Sequence, residues 1–154
     1  MEYLIVKWLH ILSSTFLFGT GIGSAFYMLV VSRTRDPRAV AVVTRYVVVA
    51  DWLFTTPTVI FQPASGVYLM HIAGFPLATP WIIRSIGLYI LAGACWLPVV
   101  WMQIKMRDMA QAAARMGAGL PAAYWHYLRI WIALGSVAFV SLVIVFYLMV
   151  AKPN

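Results

Sequence analysis

Two of the three histidines in this chain, His10 and His71, fall inside long apolar stretches of the sequence. Imidazole within a membrane span is uncommon and marks a partner or a function. A pair of imidazoles on facing helices is the axial ligand set of a low-spin b-type haem, whose potential the protein sets through its ligands and its burial. Copper is the alternative metal, because Met70 stands next to His71. Structural zinc wants four ligands, and no second cysteine and no carboxylate other than Glu2 lies near the pair. The lone cysteine, Cys95, has no disulfide partner and reads as a small buried hydrophobe.

Further residues extend that chemistry. Arg84 and Lys7 are the cations nearest such a site and would hold the haem propionates. His10, Ser14, Leu17 and Gly21 follow the i, i+4, i+7, i+11 spacing of one helical face, a wall of small and apolar groups for a flat macrocycle. Asp51 is the acidic residue well inside a span. It is expected either to pair with Arg129 or to handle protons beside a redox centre. His126 lies near the other side of the bilayer and reads as an interfacial residue.

The elements that must position these residues are four apolar stretches, about Leu4–Val31, Val40–Ile72, Trp81–Met102 and Tyr124–Val150. Each exceeds the ~20 residues that carry a helix across the hydrocarbon core. Hydrophobic residues make up 64% of the chain, the mean hydropathy is +0.90, and no stretch alternates as a barrel strand would. The expected fold is an all-α membrane protein, a single domain over residues 1–154 built as an antiparallel bundle of four transmembrane helices. His10 lies roughly 9 Å of helix rise inside the first span. The second span runs back, so His71 near its end returns to the same side at a similar depth.

The formal net charge of +7 follows topology and not a nucleic-acid footprint. Arg33, Arg35, Arg38 and Arg45 surround the first connection, and Lys105, Arg107, Arg115 and Arg129 surround the third. Lys7, Arg84 and Lys152 lie toward the other side. The positive-inside rule then places the first and third connections in the cytoplasm and both termini in the periplasm of a bacterial inner membrane. Met1-Glu2-Tyr3 lacks the basic region and cleavage site of a signal peptide, so the first span is expected to be retained. Trp8, Trp81, Trp125, Tyr124, Tyr127 and Tyr147 fall where the spans should meet the interface.

Two features mark local departures from regular helices. Gly19-x-x-x-Gly23 is a small-xxx-small pattern and predicts close helix packing. Pro57 and Pro63 predict a bend in the second span, with Thr55, Thr56, Thr58, Gln62 and Ser65 repairing the freed carbonyls or lining a polar bend that faces a ligand.

Several segments together resemble an uncharacterised family of small bacterial integral membrane proteins. They are Leu9-His10-Ile11, Gly19-x-Gly21-x-Gly23, Ala50-Asp51-Trp52-Leu53-Phe54-Thr55-Thr56-Pro57, Gln62-Pro63-x-Ser65-Gly66, and Ala92 through Trp101. That family is distantly similar to the CopD-like group, which includes the HemJ-type protoporphyrinogen oxidases. The resemblance implies a haem or tetrapyrrole connection, and His10 is the residue it marks as a ligand candidate.

The expectation is therefore a haem-b membrane redox protein with His10 and His71 as axial ligands, exchanging electrons with a quinone or a redox partner protein. The alternatives are an oxidase of a tetrapyrrole precursor, a non-enzymatic copper or haem carrier, and a structural membrane subunit. A homodimer suits so small a bundle.

Overall fold

The computed structural model describes residues 1–153, all of whose regular elements are helical. Helix α1 covers Glu2–Thr34 and α2 covers Pro37–Ala50. A π-helical turn, Asp51–Thr55, joins α2 to α3, Thr56–Ile72. Helix α4 runs over Pro80–Met116 and α5 over Ala122–Ala151. Four helical segments of 33, 36, 37 and 30 residues are long and apolar enough to cross a membrane, the second being α2, the π turn and α3 together.

The connections stop and start these helices by ordinary local chemistry. Asp36 caps α2, accepting from the Arg38 amide at 2.9 Å, and Pro37 occupies the first turn, where its missing N–H costs nothing. Gly117 ends α4 with φ of 62°, and the Ala118 amide folds back to the Ala113 carbonyl at 3.0 Å. Gly74, with φ of 69°, ends α3 in the same way. At the chain's far end Lys152 lies over Phe75 and Trp81, which ties the end of α5 to the α3–α4 connection.

The packed core sits in the half of the bundle that carries the basic connections. Met28, Val31, Val40, Val99, Met102, Met106, Ala110, Tyr124, Leu128 and Trp131 form one buried cluster there. Tyr124 is fully buried. Ser32 donates to the Met28 carbonyl, so the Tyr124 hydroxyl donates to Ser32 at 2.7 Å.

The other half, which holds both termini, is built differently. Helix α4 packs against α5, while α3 packs against α1, and α1 and α5 barely touch. The second span changes partner at the π turn, because α2 lies mainly on α4 and α3 lies on α1. Proline explains the turn. Pro57 has no amide to offer, and a wider turn before it relieves the crowding its ring would cause. The Thr56 amide reaches back five residues to the Asp51 carbonyl, and the Thr56 hydroxyl bonds the same oxygen at 3.0 Å.

One expectation is corrected here. A Cβ added at Gly19, Gly21 or Gly23 would meet nothing within 4 Å, so these glycines do not serve close packing within the chain.

Candidate binding site within the bundle

Where the two halves of the bundle part, they leave a cavity of about 580 Å³. Its walls come from the middle of α1, the π turn and early α3, and the facing stretches of α4 and α5. The volume lies in the range of sites that hold a small organic molecule. Glycine makes part of this space. Gly21, Gly93 and Gly135 line it from three helices, and a Cβ on any of them would meet nothing within 4 Å. The sparse contact of α1 with α5 makes the gap between them the lateral side of the cavity. Phe18 spans that gap nearer the terminal end, stacked on Phe139 at 4.9 Å and edge-on to Phe146 at 5.3 Å.

The lining is apolar apart from a few groups. Asp51, Gln103 and Trp131 are 5%, 3% and 5% exposed. They stand roughly 20, 20 and 14 Å of helix rise from the basic ends of α2, α4 and α5, so three elements bring them to comparable depth. Thr55, one π turn on, donates to Asp51 Oδ1 at 2.9 Å and fixes the carboxyl, with the Gln103 side chain beside it. Four buried side-chain polar atoms have no hydrogen-bond partner among the described residues: Ser13 Oγ, Asp51 Oδ2, Gln103 Oε1 and Trp131 Nε1. Three of the four belong to this cavity. An unsatisfied buried polar atom costs about 1–3 kcal/mol, and residues that carry three such atoms border one apolar space, although the atoms themselves have almost no surface open to it.

Tyr89 closes the cavity on another side. Its hydroxyl donates to the Val59 carbonyl at 2.7 Å, the sole side-chain hydrogen bond between α4 and α3 among the described residues. That carbonyl is the one from which Pro63, four residues on, withholds an amide.

The residues marked in the sequence are spread more widely. Gly21 and Asp51 line the cavity. His10 belongs to a separate cluster between α1 and α3, where its Nδ1 lies 2.7 Å from Ser65 Oγ and its carbonyl accepts from Gln62 Nε2 at 2.8 Å. Ser65 commits its proton to the Phe61 carbonyl at 2.7 Å, so His10 Nδ1–H is the donor and Nε2 keeps the lone pair. Gly66 gives the ring its room, since a Cβ there would stand 3.5 Å from His10 Cε1.

His71 is exposed and is not brought to His10. It lies roughly 9 Å along α3 from Ser65 and is turned about 120° from it around the helix axis. Haem held by both imidazoles needs the two rings facing across one slot. This arrangement does not fit that group, and no metal-holding cluster of three or more His, Cys, Asp or Glu occurs among the described residues. Arg84 and Lys7 are exposed, Lys7 lying over the Tyr3 ring. Ser14 turns its hydroxyl to the Ile11 carbonyl at 2.7 Å. Arg129 does not pair with Asp51. It is exposed and donates to the Trp125 carbonyl, and the one ion pair among the described residues is Arg107–Asp108.

Gln103 and Trp131 escape a reading of the sequence for visible reasons. Gln103 follows the last apolar residue of the third stretch and looks like the start of its polar extension. Trp131 is one of seven tryptophans, three of which suit the interface.

A model of the family described as "Predicted integral membrane protein (DUF2269)" matches residues 4–153. That match supports the membrane family and does not bear on the more distant likeness to the CopD-like group. No curated protein and no solved structure matches the chain.

Proposed function

The chain belongs to this family of predicted integral membrane proteins, and from that premise we propose that it binds a bilayer-borne amphiphile in the cavity between its helix pairs. One observation carries the reading: a largely apolar cavity of about 580 Å³ lies between the helix pairs, lined by Asp51 and Gln103 among apolar side chains and bordered by a gap between α1 and α5. Apolar walls suit a tail, the few polar side chains among them suit a small polar head, and the gap suits access from the bilayer instead of from water. With the basic connections in the cytoplasm, as the positive-inside rule directs, the head sits near mid-membrane. The proposal derives no step through haem, because His10 and His71 do not share a slot.

Native mass spectrometry of the detergent-purified chain with decylbenzene as an apolar probe tests the proposal. A one-to-one complex is expected for wild type and none for Gly21→Leu/Gly135→Leu, whose side chains fill the cavity without meeting a neighbour at Cβ. Equal binding by a double variant that keeps its thermal stability would reject the cavity as the site.

A further inference from the structure

The first and third connections meet at one end of the bundle and leave an open cleft of about 390 Å³, apart from the central cavity. Arg35, Gly119, Leu120 and Trp125 line it. Arg35 ends α1 in the left-handed conformation, with φ of 56°, which turns the chain toward α2. Glycine takes that conformation at less cost than arginine, so backbone geometry alone does not call for this side chain. The Arg35 guanidinium lies 5.8 Å from the centre of the Trp125 ring. Trp125 is held in turn by an edge-on contact at 5.4 Å with Tyr124, which is fully buried. The cation is therefore seated on the packed core, and resting on a ring leaves its N–H donors for another partner.

The charge at this end has no match within the chain. Of the four acidic residues, Asp36 and Asp108 lie here. Asp36 caps α2 at the Arg38 amide, and Asp108 pairs with Arg107 at 2.8 Å. That is the one ion pair among the described residues, so Arg33, Arg35 and Arg38 have no carboxylate partner. Trp125 and Tyr127 open the fourth apolar span, which sets the cleft at the level where lipid headgroups begin.

We infer that this cleft binds the phosphodiester of an anionic phospholipid, with Arg35 as the cation that holds it. A guanidinium can meet two phosphate oxygens at once. Leu120 offers apolar surface for the first carbons of an acyl chain, and Gly119 leaves room, since a Cβ there would meet nothing within 4 Å. The surrounding arginines favour a net negative headgroup over a zwitterionic one, whose ammonium they repel. A soluble anion would meet the same cations, so the test carries inorganic phosphate as a separate arm.

The test is a native mass spectrometry titration of the full chain with dioleoylphosphatidylglycerol, dioleoylphosphatidylcholine and inorganic phosphate. Phosphatidylglycerol is expected to bind one to one, about tenfold tighter than phosphatidylcholine, and an excess of inorganic phosphate should not displace it. Arg35→Gly should weaken it about thirtyfold, the worth of a charge-assisted bond. Thermal stability should hold or rise in that variant, because glycine accepts the φ of 56°. Arg45→Gln removes one charge from the same end but outside the cleft, and should cost about fivefold at most, the share of one cation in a general field. Gly119→Leu fills the cleft, leaves every charge in place and should weaken binding too.

Equal losses in Arg35→Gly and Arg45→Gln would overturn the site in favour of a diffuse field. Wild-type binding by a stable Gly119→Leu protein would overturn it as well. Phosphatidylcholine bound as tightly as phosphatidylglycerol would overturn the anionic class, and displacement by inorganic phosphate would overturn the lipid source.

Discussion

The Tyr89 hydroxyl stands in for an amide that Pro63 does not have, donating at 2.7 Å to the Val59 carbonyl across the opening between α3 and α4. A proline within a membrane helix leaves a carbonyl that lipid cannot satisfy. Here the repair comes from another helix, so one bond both mends α3 and holds the bundle together at the cavity's edge.

Removing that hydroxyl should loosen the terminal half without unfolding the chain. Tyr89→Phe is expected to lower stability by about 1 kcal/mol, the usual net worth of such a bond. Spin labels on Ile60→Cys and Ile90→Cys in a Cys95→Ser background, both exposed sites, would report the opening. A longer or broader distance distribution than in the Tyr89 protein is expected. An unchanged distribution would show that the bond does not hold the helices.

The bond between Tyr124 and Ser32 should respond unequally to loss of either partner. Tyr124→Phe removes a donor and leaves Ser32 still donating to the Met28 carbonyl. Ser32→Ala strands a phenolic hydroxyl inside the core. The first change should cost about 1 kcal/mol and the second up to about 3 kcal/mol, because leaving a buried polar group unmatched is the larger penalty. Thermal unfolding in one detergent gives the order directly.

Nitrogen-15 spectra of labelled histidine check the tautomer of His10. A protonated Nδ1 and a bare Nε2 are expected in wild type, since Ser65 has only acceptor capacity left for the ring. Ser65→Ala should shift that balance toward the other tautomer. A wild-type ring protonated at Nε2 would contradict the arrangement.

Absorbance settles the haem question. Protein purified with haem supplied and then reduced with dithionite should show no sharp low-spin bands that depend on both histidines. Such bands, abolished by His10→Ala and by His71→Ala alike, would mean that the two rings do meet.

The four spans were legible because each is a long apolar run. Asp51 was also legible as a residue that needed an explanation. The placing of His71 shows where counting stops. Counting along a helix gives depth, whereas facing depends on rotation, and within α3 the six residues from Ser65 to His71 turn the second imidazole about 120° away from the face that meets His10. Gly19 and Gly23 misled for a related reason. A glycine pattern announces missing side chains and does not say what meets the vacated space, and here nothing lies within 4 Å of a Cβ built on either.

The π turn has a consequence for how this sequence tolerates change in length. It accommodates one more residue than a regular turn, and that surplus acts as a phase shift of about 100° for the 17 residues of α3. Deleting a single residue between Asp51 and Thr55 would restore a uniform helix and rotate Gln62, Ser65 and Gly66 away from α1 as a block. His10 would lose its acceptor and its clearance together, and Val59 would turn from Tyr89. The segment therefore behaves as an angular gauge, in which the number of residues matters more than the identity of most of them.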